Sequence, residues 1–527
     1  MGIQLRQFRQ ILFWPLEIPR LSARDKPQDL DDAFEAAFVA SKKWHRESDL
    51  LKRGEQTPDD QAYAELVYFH PFVRRFLYGE AEAVTKPPMR LYRRYDIKRA
   101  KVEILFRDFG VDPPMDRDEV IELAVERIHF YLFDGGVAIL VVEVASLHPL
   151  HLTLVEELLD RFRRAYPPYW ETDKGNPGHC PDRVEWLKPG ERAAIASSDY
   201  EVSRRFEEFV KDHKSPTPAR HWQYLLEPLI PWPKEPEQQG FNYRQLEDER
   251  MPFMAYLSLD DPRQLSRADF ARLCFADDSG ASARLPYSFE FLRNFEKTFC
   301  YDRYWDPRMR YDDDAAQADP GTNKMTTRYL SCGYGFVMLG KEENPGFFSD
   351  GENGALAHFR RHYFQMGLIA HFHRAALLLF SDALSQAVAK YDPKNRRAFH
   401  DEVGEILQGF LVFNHRYWFR EVSNQMQARE LFSLWTRHLE TQALFDQVRQ
   451  EAQDAKNFLD MEEQKKQAST GVALSNTAVR LSVVATFGLA AGLVSSFLAI
   501  PWGGLSRNRA SWSIIANIPT FPGRIAT

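Results

Sequence analysis

The stretch RIHFYLFDGGVAILVVEVAS, Arg127–Ser146, carries the strongest strand signal in the sequence. Two apolar runs flank Asp134-Gly135-Gly136, a turn composition that permits the positive φ angles of a tight hairpin. The second run is continuously apolar from Val137 to Val142, which is typical of a strand that is covered on both faces. We therefore predict a β-hairpin in the middle of a sheet.

Shorter patterns on either side of this hairpin predict a mixed fold. Segments 166–192 and 214–242 are rich in proline, glycine and charge, and they are predicted to be long surface loops. Apolar periodicity predicts further strands at 101–107, 251–259 and 327–339, and helices at 28–51, 60–78, 150–168, 358–391 and 396–419.

The composition limits the classes of function. The 527 residues are enough for two to four domains, and a mean hydropathy of −0.46 indicates a globular body rather than a many-span transporter. The net charge is −7 without a lysine/arginine block, so nucleic-acid binding has no support. The cysteines are far apart and form no C-x-x-C pair, which favours buried thiols over a zinc site or a disulfide framework: Cys180, Cys274, Cys300 and Cys332.

An apolar segment near the end of the sequence contrasts with this globular composition. Leu481 to Ile500 contains no charged side chain and has the length needed to cross ~30 Å of hydrocarbon. Trp502 follows at the position of a membrane interface. We interpret the segment as a transmembrane helix; the alternative is a buried core helix. Because the N-terminus has no secretory signal, the body before the span is predicted to be cytoplasmic.

Two faces of this segment differ in chemistry. Gly488 and Gly492 have the G-x-x-x-G spacing that lets transmembrane helices approach closely, so they are helix-contact candidates. The alternative is that small and hydroxyl residues are simply common in spans. The pore-lining candidates share one narrow stripe at helical spacing: Ser482, Thr486, Leu489 and Leu493.

The interval before the span predicts a long helix. No proline occurs between Glu421 and Pro501, and a continuous helix of that length would extend roughly 120 Å. Such a helix needs partners along its length, and copies of the same chain are the predicted partners. A short run of apolar residues alternates by three and four, as in a coiled-coil seam or in ordinary helix packing: Phe445, Val448, Ala452, Ala455 and Leu459.

The segments NHRYWFREVSNQMQARELFSLWTRHLETQALFDQVRQEAQDAKNFLD (414–460) and RLSVVATFGLAAGLVSSFL (480–498) resemble the CorA-type divalent-cation transporter family. The resemblance covers the C-terminal part of the chain well and the N-terminal half only in outline. It implies a homo-oligomer, a pentamer in that family, with passive flux of Mg²⁺ or a related divalent cation through a pore made by the first spans. It also implies a location in the inner (plasma) membrane.

The sequence departs from the family at the outer mouth of the pore. Ala499, Ile500 and Pro501 stand where the family has its Gly-Met-Asn signature, and no second span follows. A truncated or frameshifted coding sequence, or a member that has lost transport, would explain this departure. The alternative function is therefore a membrane-anchored oligomeric regulatory or scaffold protein without a competent pore.

Metal-binding candidates come from the stalk and from one histidine pair. His358 and His362 are four residues apart on a predicted helix, with His371 and His373 beyond them, but histidines on a polar helix surface are favoured over a metal site. No catalytic motif was found, so the chain is predicted not to be an enzyme and to have no catalytic residues. The family resemblance implies that stalk carboxylates bind regulatory magnesium, whereas the default is that they are exposed charges: Asp446, Glu451, Asp454 and Asp460.

These predictions combine into one architecture. The fold class is α+β to α-rich membrane protein, with an α/β/α cytosolic domain, a long stalk helix and a C-terminal transmembrane helix. The predicted boundaries are 1–395 for the cytosolic domain, 396–480 for the stalk, 481–500 for the span and 501–527 for a short tail. No cofactor is expected beyond the transported or regulatory divalent cation, and the predicted partners are the membrane and further copies of the chain.

Overall fold

A computed structural model describes residues 3–19, 27–47, 60–79, 88–108, 115–171, 176–233, 240–277, 287–305, 326–342 and 346–470. The chain divides into two compact units with the boundary after Lys456. The predicted span 481–500 lies outside the described residues. The same holds for the predicted residues within and after it: Ser482, Thr486, Gly488, Leu489, Gly492, Leu493, Ala499, Ile500 and Pro501.

Strands make the framework of the first unit. In chain order they are β1 Gln4–Glu17, β2 His45–Glu47, β3 Met89–Arg94, β4 Arg99–Asp108, β5 Met115–Phe133, β6 Val137–Ser146, β7 Leu150–His151, β8 Arg183–Leu187, β9 Ala194–Ser197, β10 Ile230–Pro231, β11 Asn242–Gln245, β12 Phe253–Leu259, β13 Cys300–Tyr301, β14 Arg328–Ser331 and β15 Gly335–Lys341.

Helices are interspersed with these strands, and only helices follow β15 in the described part of the chain. They are α1 Pro27–Ala40, α2 Asp60–Tyr68, α3 Pro71–Tyr78, α4 Leu152–Arg161, α5 Ser203–His213, α6 Arg220–Leu226, α7 Arg267–Phe275, α8 Phe289–Phe299, α9 Ala355–His358, α10 Phe364–Ala389, α11 Arg396–Arg416, α12 Met426–His438 and α13 Thr441–Thr470. A π-helical turn, Phe359–Tyr363, joins α9 to α10 without a break.

The strands form one mixed sheet of 15 strands, with the order β13-β14-β15-β12-β1-β6-β5-β4-β8-β9 along its main path. Most neighbouring strands run antiparallel, while β12 and β15 run parallel. The first strand of the chain is thus in the middle of the sheet, between β6 and β12. It was not predicted from the sequence.

Helices cover both faces of the sheet. In β1, Leu12 and Trp14 point into a first core, which also contains Trp222 of α6. Phe13, between them, points into a second core, which also contains Trp435 of α12. This alternation is what a strand buried on both sides requires, because successive side chains point to opposite faces.

The predicted hairpin is confirmed. β5 and β6 are antiparallel, and Gly135 and Gly136 in the turn have φ angles of 96° and 90°. Gly136 also approaches the backbone oxygen of Ile18, 3.1 Å from where a Cβ would stand, so a larger residue would be strained there. Nine consecutive residues of β6, Val137–Ala145, are buried.

The fold-class prediction is wrong for the part of the chain that the structure describes. Within those ranges no helix is both long enough and apolar enough to cross a bilayer, and a large sheet rather than a helical span organises the chain. The prediction relied on the hydropathy of 481–500, on the proline-free interval before it and on the family resemblance of these C-terminal segments. The predicted transmembrane helix and the inner (plasma) membrane localisation therefore have no support in the structure, and we correct both.

The predicted continuous helix from Glu421 onward is also interrupted. Glu440 adopts a φ angle of 53° and separates α12 from α13. On α13, Phe445, Val448 and Ala452 are buried in the second core, where Phe445 stacks on Trp418 with ring centroids 4.5 Å apart. Of the two interpretations of the apolar seam, ordinary helix packing therefore describes these three residues.

Candidate functional site

A polar pocket of about 530 Å³ lies in the first unit. Strands β3 and β5 contribute to it, as do helices α2 and α3 and the π-helical turn with the start of α10. Its lining residues share a high proportion of charged and aromatic side chains: Glu65, Leu77, Tyr78, Met89, Leu91, Arg93, Tyr95, Glu126, Arg127, His129, Tyr131, Gly351, Arg360, Arg361, Phe364 and Gln365. We call it the arginine pocket.

A fully buried carboxylate orients the arginines of this pocket. Glu143 of β6 accepts hydrogen bonds from the Nε atoms of Arg127 and Arg360, the latter at 2.7 Å. Nη1 of Arg9 lies 3.6 Å from the same carboxylate and 3.3 Å from Glu126. Nη2 of Arg360 donates to Glu126 at 3.2 Å. Three guanidinium groups are therefore held around one buried anion.

The electrostatic balance keeps Glu143 ionised. Burial alone would raise its pKa, because desolvation penalises the charged form. The positive charges of Arg127, Arg360 and Arg9 outweigh that effect, so the pKa of Glu143 is lowered. A charged Glu143 in turn fixes the orientation of the two guanidiniums that line the pocket.

The π-helical turn brings two consecutive arginines to the same pocket. Arg360 and Arg361 both line it, although successive residues of an α-helix point about 100° apart. The backbone oxygen of Arg360 accepts a hydrogen bond from Nη2 of Arg127 at 3.0 Å, which ties the turn to β5. Single π turns inside helices occur frequently at functional sites.

Taken together, the lining residues give the pocket an excess of positive charge and some aromatic surface. Four arginines face two carboxylates among the lining residues, in a chain whose net charge is −7. Burial, with the charges of Arg127 and Arg93, holds the pKa of His129 well below its usual value, so this imidazole is neutral. The guanidinium of Arg127 lies over the ring of Phe364, 4.3 Å from its centroid. Such a lining suits an anion better than a cation.

The predicted stalk carboxylates do not come together. Asp446 pairs with Arg449 at 3.2 Å on the surface of α13, and Glu451 accepts a hydrogen bond from the Ser381 hydroxyl at 2.9 Å. Asp454 accepts one from Gln450, and Asp460 is exposed. Across the described ranges, no group of three or more His, Cys, Asp or Glu side chains is arranged to hold a metal ion.

The histidines of the long helix have two different environments. The Nδ1 atoms of His358 and His362 are 3.0 Å apart, so this i, i+4 pair is in contact. His371 and His373 are fully buried instead of lying on a polar surface. Nε2 of His373 donates to the backbone oxygen of Tyr417 at 2.7 Å. His362 is also buried, so the interpretation of these histidines as surface residues is wrong for His362, His371 and His373.

Sequence reasoning missed the arginine pocket. Its residues come from positions 65 to 365, and no local motif links them. One signal was present: Glu143 is the single charged residue in the otherwise apolar run VAILVVEVA, and a carboxylate in a strand buried on both faces requires cationic partners. The adjacent pair Arg360-Arg361 was a second, weaker signal.

Comparison with known proteins gives no relative for this fold or pocket. No protein family, no curated protein and no solved structure matches the chain.

Proposed function

We propose that the chain is a ligand-binding protein whose arginine pocket takes a small organic anion with a phosphate or carboxylate group. One observation carries the proposal: the buried carboxylate of Glu143 holds Arg127 and Arg360 side by side at the pocket wall. Guanidinium groups bind phosphate and carboxylate in a bidentate geometry. Orientation before binding reduces the entropy that is lost when the ligand enters.

Both arginines retain hydrogen-bonding capacity for a ligand. Nε and Nη2 of each are engaged with Glu143, Glu126 or the backbone oxygen of Arg360. Within the described part of the chain, their Nη1 atoms have no hydrogen-bond partner. The neutral His129 and the hydroxyl groups of the pocket tyrosines add donors and acceptors that can recognise the rest of the ligand.

The test is a calorimetric binding assay on the full chain. The probes are inorganic phosphate, pyrophosphate, a nucleoside monophosphate and succinate. We expect at least one to bind, with an affinity that falls as salt rises, because part of the attraction is electrostatic. Arg360→Lys keeps the positive charge but removes the planar guanidinium that can bind an anion through two nitrogen atoms. This substitution should weaken binding about 10-fold or more.

The matched control is Arg397→Gln, which removes an arginine whose side chain is 93% exposed on α11. This variant should bind with the affinity of the wild type. Circular dichroism and thermal melting of both variants report whether the fold is retained. The proposal is wrong if none of the probes binds, or if Arg360→Lys and Arg397→Gln bind equally well.

Passive transport of Mg²⁺ or another divalent cation by a homo-oligomer stays a prediction. Its pore-lining candidates lie outside the described residues. The prediction that the chain is not an enzyme also stays a prediction.

A further inference from the structure

The fold brings together two cysteines that are 58 positions apart in the sequence. Cys274 is in the last turn of α7, and Cys332 is in the turn between β14 and β15. Sγ of Cys332 donates to the backbone oxygen of Cys274 at 3.1 Å, so this thiol lies directly against the residue that carries the other one. This contact is independent of the arginine pocket.

The surrounding backbone holds the two cysteine residues close together. The N–H of Gly335 donates to Sγ of Cys332 at 3.3 Å. A side chain at Gly335 would collide with the backbone oxygen of Cys274, which lies 2.5 Å from the position of a Cβ. The turn is also fixed on its other side, because the indole of Trp435 donates to the backbone oxygen of Gly333 at 2.8 Å.

The two thiols differ in reactivity. The hydrogen bond from Cys274 lowers the pKa of Cys332, with help from the N–H of Gly335 and the charge of Arg163. Burial raises the pKa of Cys274 well above its usual value, and it also raises those of Cys180 and Cys300. Cys332 is partly exposed whereas Cys274 is fully buried. Cys332 is therefore the thiol that meets an oxidant, since the thiolate is the attacking form.

We propose that Cys332 and Cys274 are a site of reversible oxidation and form an intramolecular disulfide when they meet a small-molecule disulfide such as glutathione disulfide. The thiolate of Cys332 attacks one sulfur of the oxidant, and one glutathione thiolate leaves. Cys274 then attacks the sulfur of Cys332 in this mixed disulfide, the bond from that sulfur to glutathione breaks, and the departing glutathione thiolate takes up the proton that Cys274 loses. Two protein thiols are oxidised and one glutathione disulfide is reduced to two thiols.

The bond would join α7 to the turn between β14 and β15, which also contacts a helix of the second core. Cys274 belongs to the first core, and Trp435, which holds the same turn, belongs to the second. Oxidation would thereby fix α7 to a turn that α12 already contacts.

The test uses the reduced full chain, incubated with glutathione disulfide under native conditions. Remaining thiols are then blocked with N-ethylmaleimide in denaturant, and the peptides are mapped by mass spectrometry. We expect one linked peptide pair, Cys274 with Cys332, and blocked thiols at Cys180 and Cys300. If all four cysteines stay reduced, or if the linked pair includes Cys180 or Cys300, the proposal is overturned.

Three variants separate the roles of the thiols. Cys274→Ser should retain glutathione on Cys332 as a stable mixed disulfide, because the resolving thiol is missing. Cys332→Ser should show neither product, and Cys180→Ser should behave as the wild type does. Modification of Cys274 in the Cys332→Ser variant at the wild-type rate would contradict the assigned order. The peptide map of the wild type decides the pairing even if a variant does not fold.

Discussion

His371 is a titratable side chain enclosed by aromatic rings. Its ring centroid lies 5.0 Å from that of Phe13 and 5.9 Å from that of Trp435. Neither ring nitrogen has a hydrogen-bond partner among the described residues. Burial, followed by the charge of Arg374, lowers the pKa of His371 from 6.5 to about 3. The folded protein therefore keeps this imidazole neutral, and both of its ring nitrogens lose the hydrogen bonds that water would provide in the unfolded chain.

The first prediction concerns His371→Phe, which removes both unpaired nitrogens from the second core. The folded pKa of His371 lies below its unfolded value of 6.5, so the wild type loses stability as the pH falls from 6.5 towards about 3. The variant lacks this titration. The difference in free energy of unfolding, variant minus wild type, should therefore increase by about 1.4 kcal/mol for each unit by which the pH falls below 6.

The measurement is urea unfolding of both proteins at pH 7, 6 and 5. His373 and other buried histidines titrate in both proteins, so only the difference between the two curves reports on His371. Parallel stability curves across this range would show that His371 does not titrate as predicted.

Two glycines show how the same residue acts differently in two helices. Gly367 of α10 faces the packed core: a Cβ there would stand 2.6 Å from Cη2 of Trp435 and 3.3 Å from Cζ of Phe13. Gly404 of α11 has no atom within 4 Å of its Cβ position among the described residues. The first glycine therefore allows the close approach of α10 to β1 and α12, and the second has no packing role.

The second prediction compares Gly367→Ala with Gly404→Ala. Both substitutions gain helix propensity of roughly 1 kcal/mol. At position 404 that gain should appear in full as higher stability. At position 367 overpacking should cost about 1–3 kcal/mol, so it should cancel or exceed that gain and leave no net stabilisation. Chemical denaturation of both variants measures the difference, and equal stabilisation by the two would contradict the packing of α10 described here.

At the scale of the whole molecule, the sequence predicted the elements better than their arrangement. β6 was predictable because its continuous apolar run indicates a buried strand even when the neighbouring strands are not known. β1 was not, because its start mixes charged and apolar residues and it contains Pro15, which argues against a central strand. The structure explains this exception. Pairing with β12 ends at Leu12 and pairing with β11 begins at Leu16, so Pro15 lies where no N–H donor is needed.

The set of residues that line the arginine pocket could not have been predicted, for a related reason. Its residues meet only after β3, β5 and the π-helical turn have been assembled around the sheet. Local periodicity does not determine the order of distant strands in a sheet. A tight turn, by contrast, can be predicted from a short local sequence such as Asp134-Gly135-Gly136. The membrane prediction was wrong because a C-terminal apolar segment and a family resemblance of the C-terminal part were extended to the class of the whole chain.

The third prediction follows from the position of β6 in the sheet. It is paired on both edges, by β1 and β5, and covered on both faces. Its amides should therefore exchange only through large-scale unfolding, whereas β9, at one end of the main strand path, should exchange through local opening. Hydrogen–deuterium exchange followed by mass spectrometry measures both. Equally fast exchange in β6 and β9 would contradict the strand order.

The central position of β1 has a consequence for how the chain is synthesised. β1 leaves the ribosome before its partners, because β6 follows more than a hundred residues later and β12 is complete only at Leu259. At typical translation speeds the edge of β1 that pairs with β12 stays unpaired for roughly 10–50 s. An exposed strand edge of this kind invites pairing with other chains. Production of this protein in a cell should therefore depend strongly on chaperones that bind nascent chains.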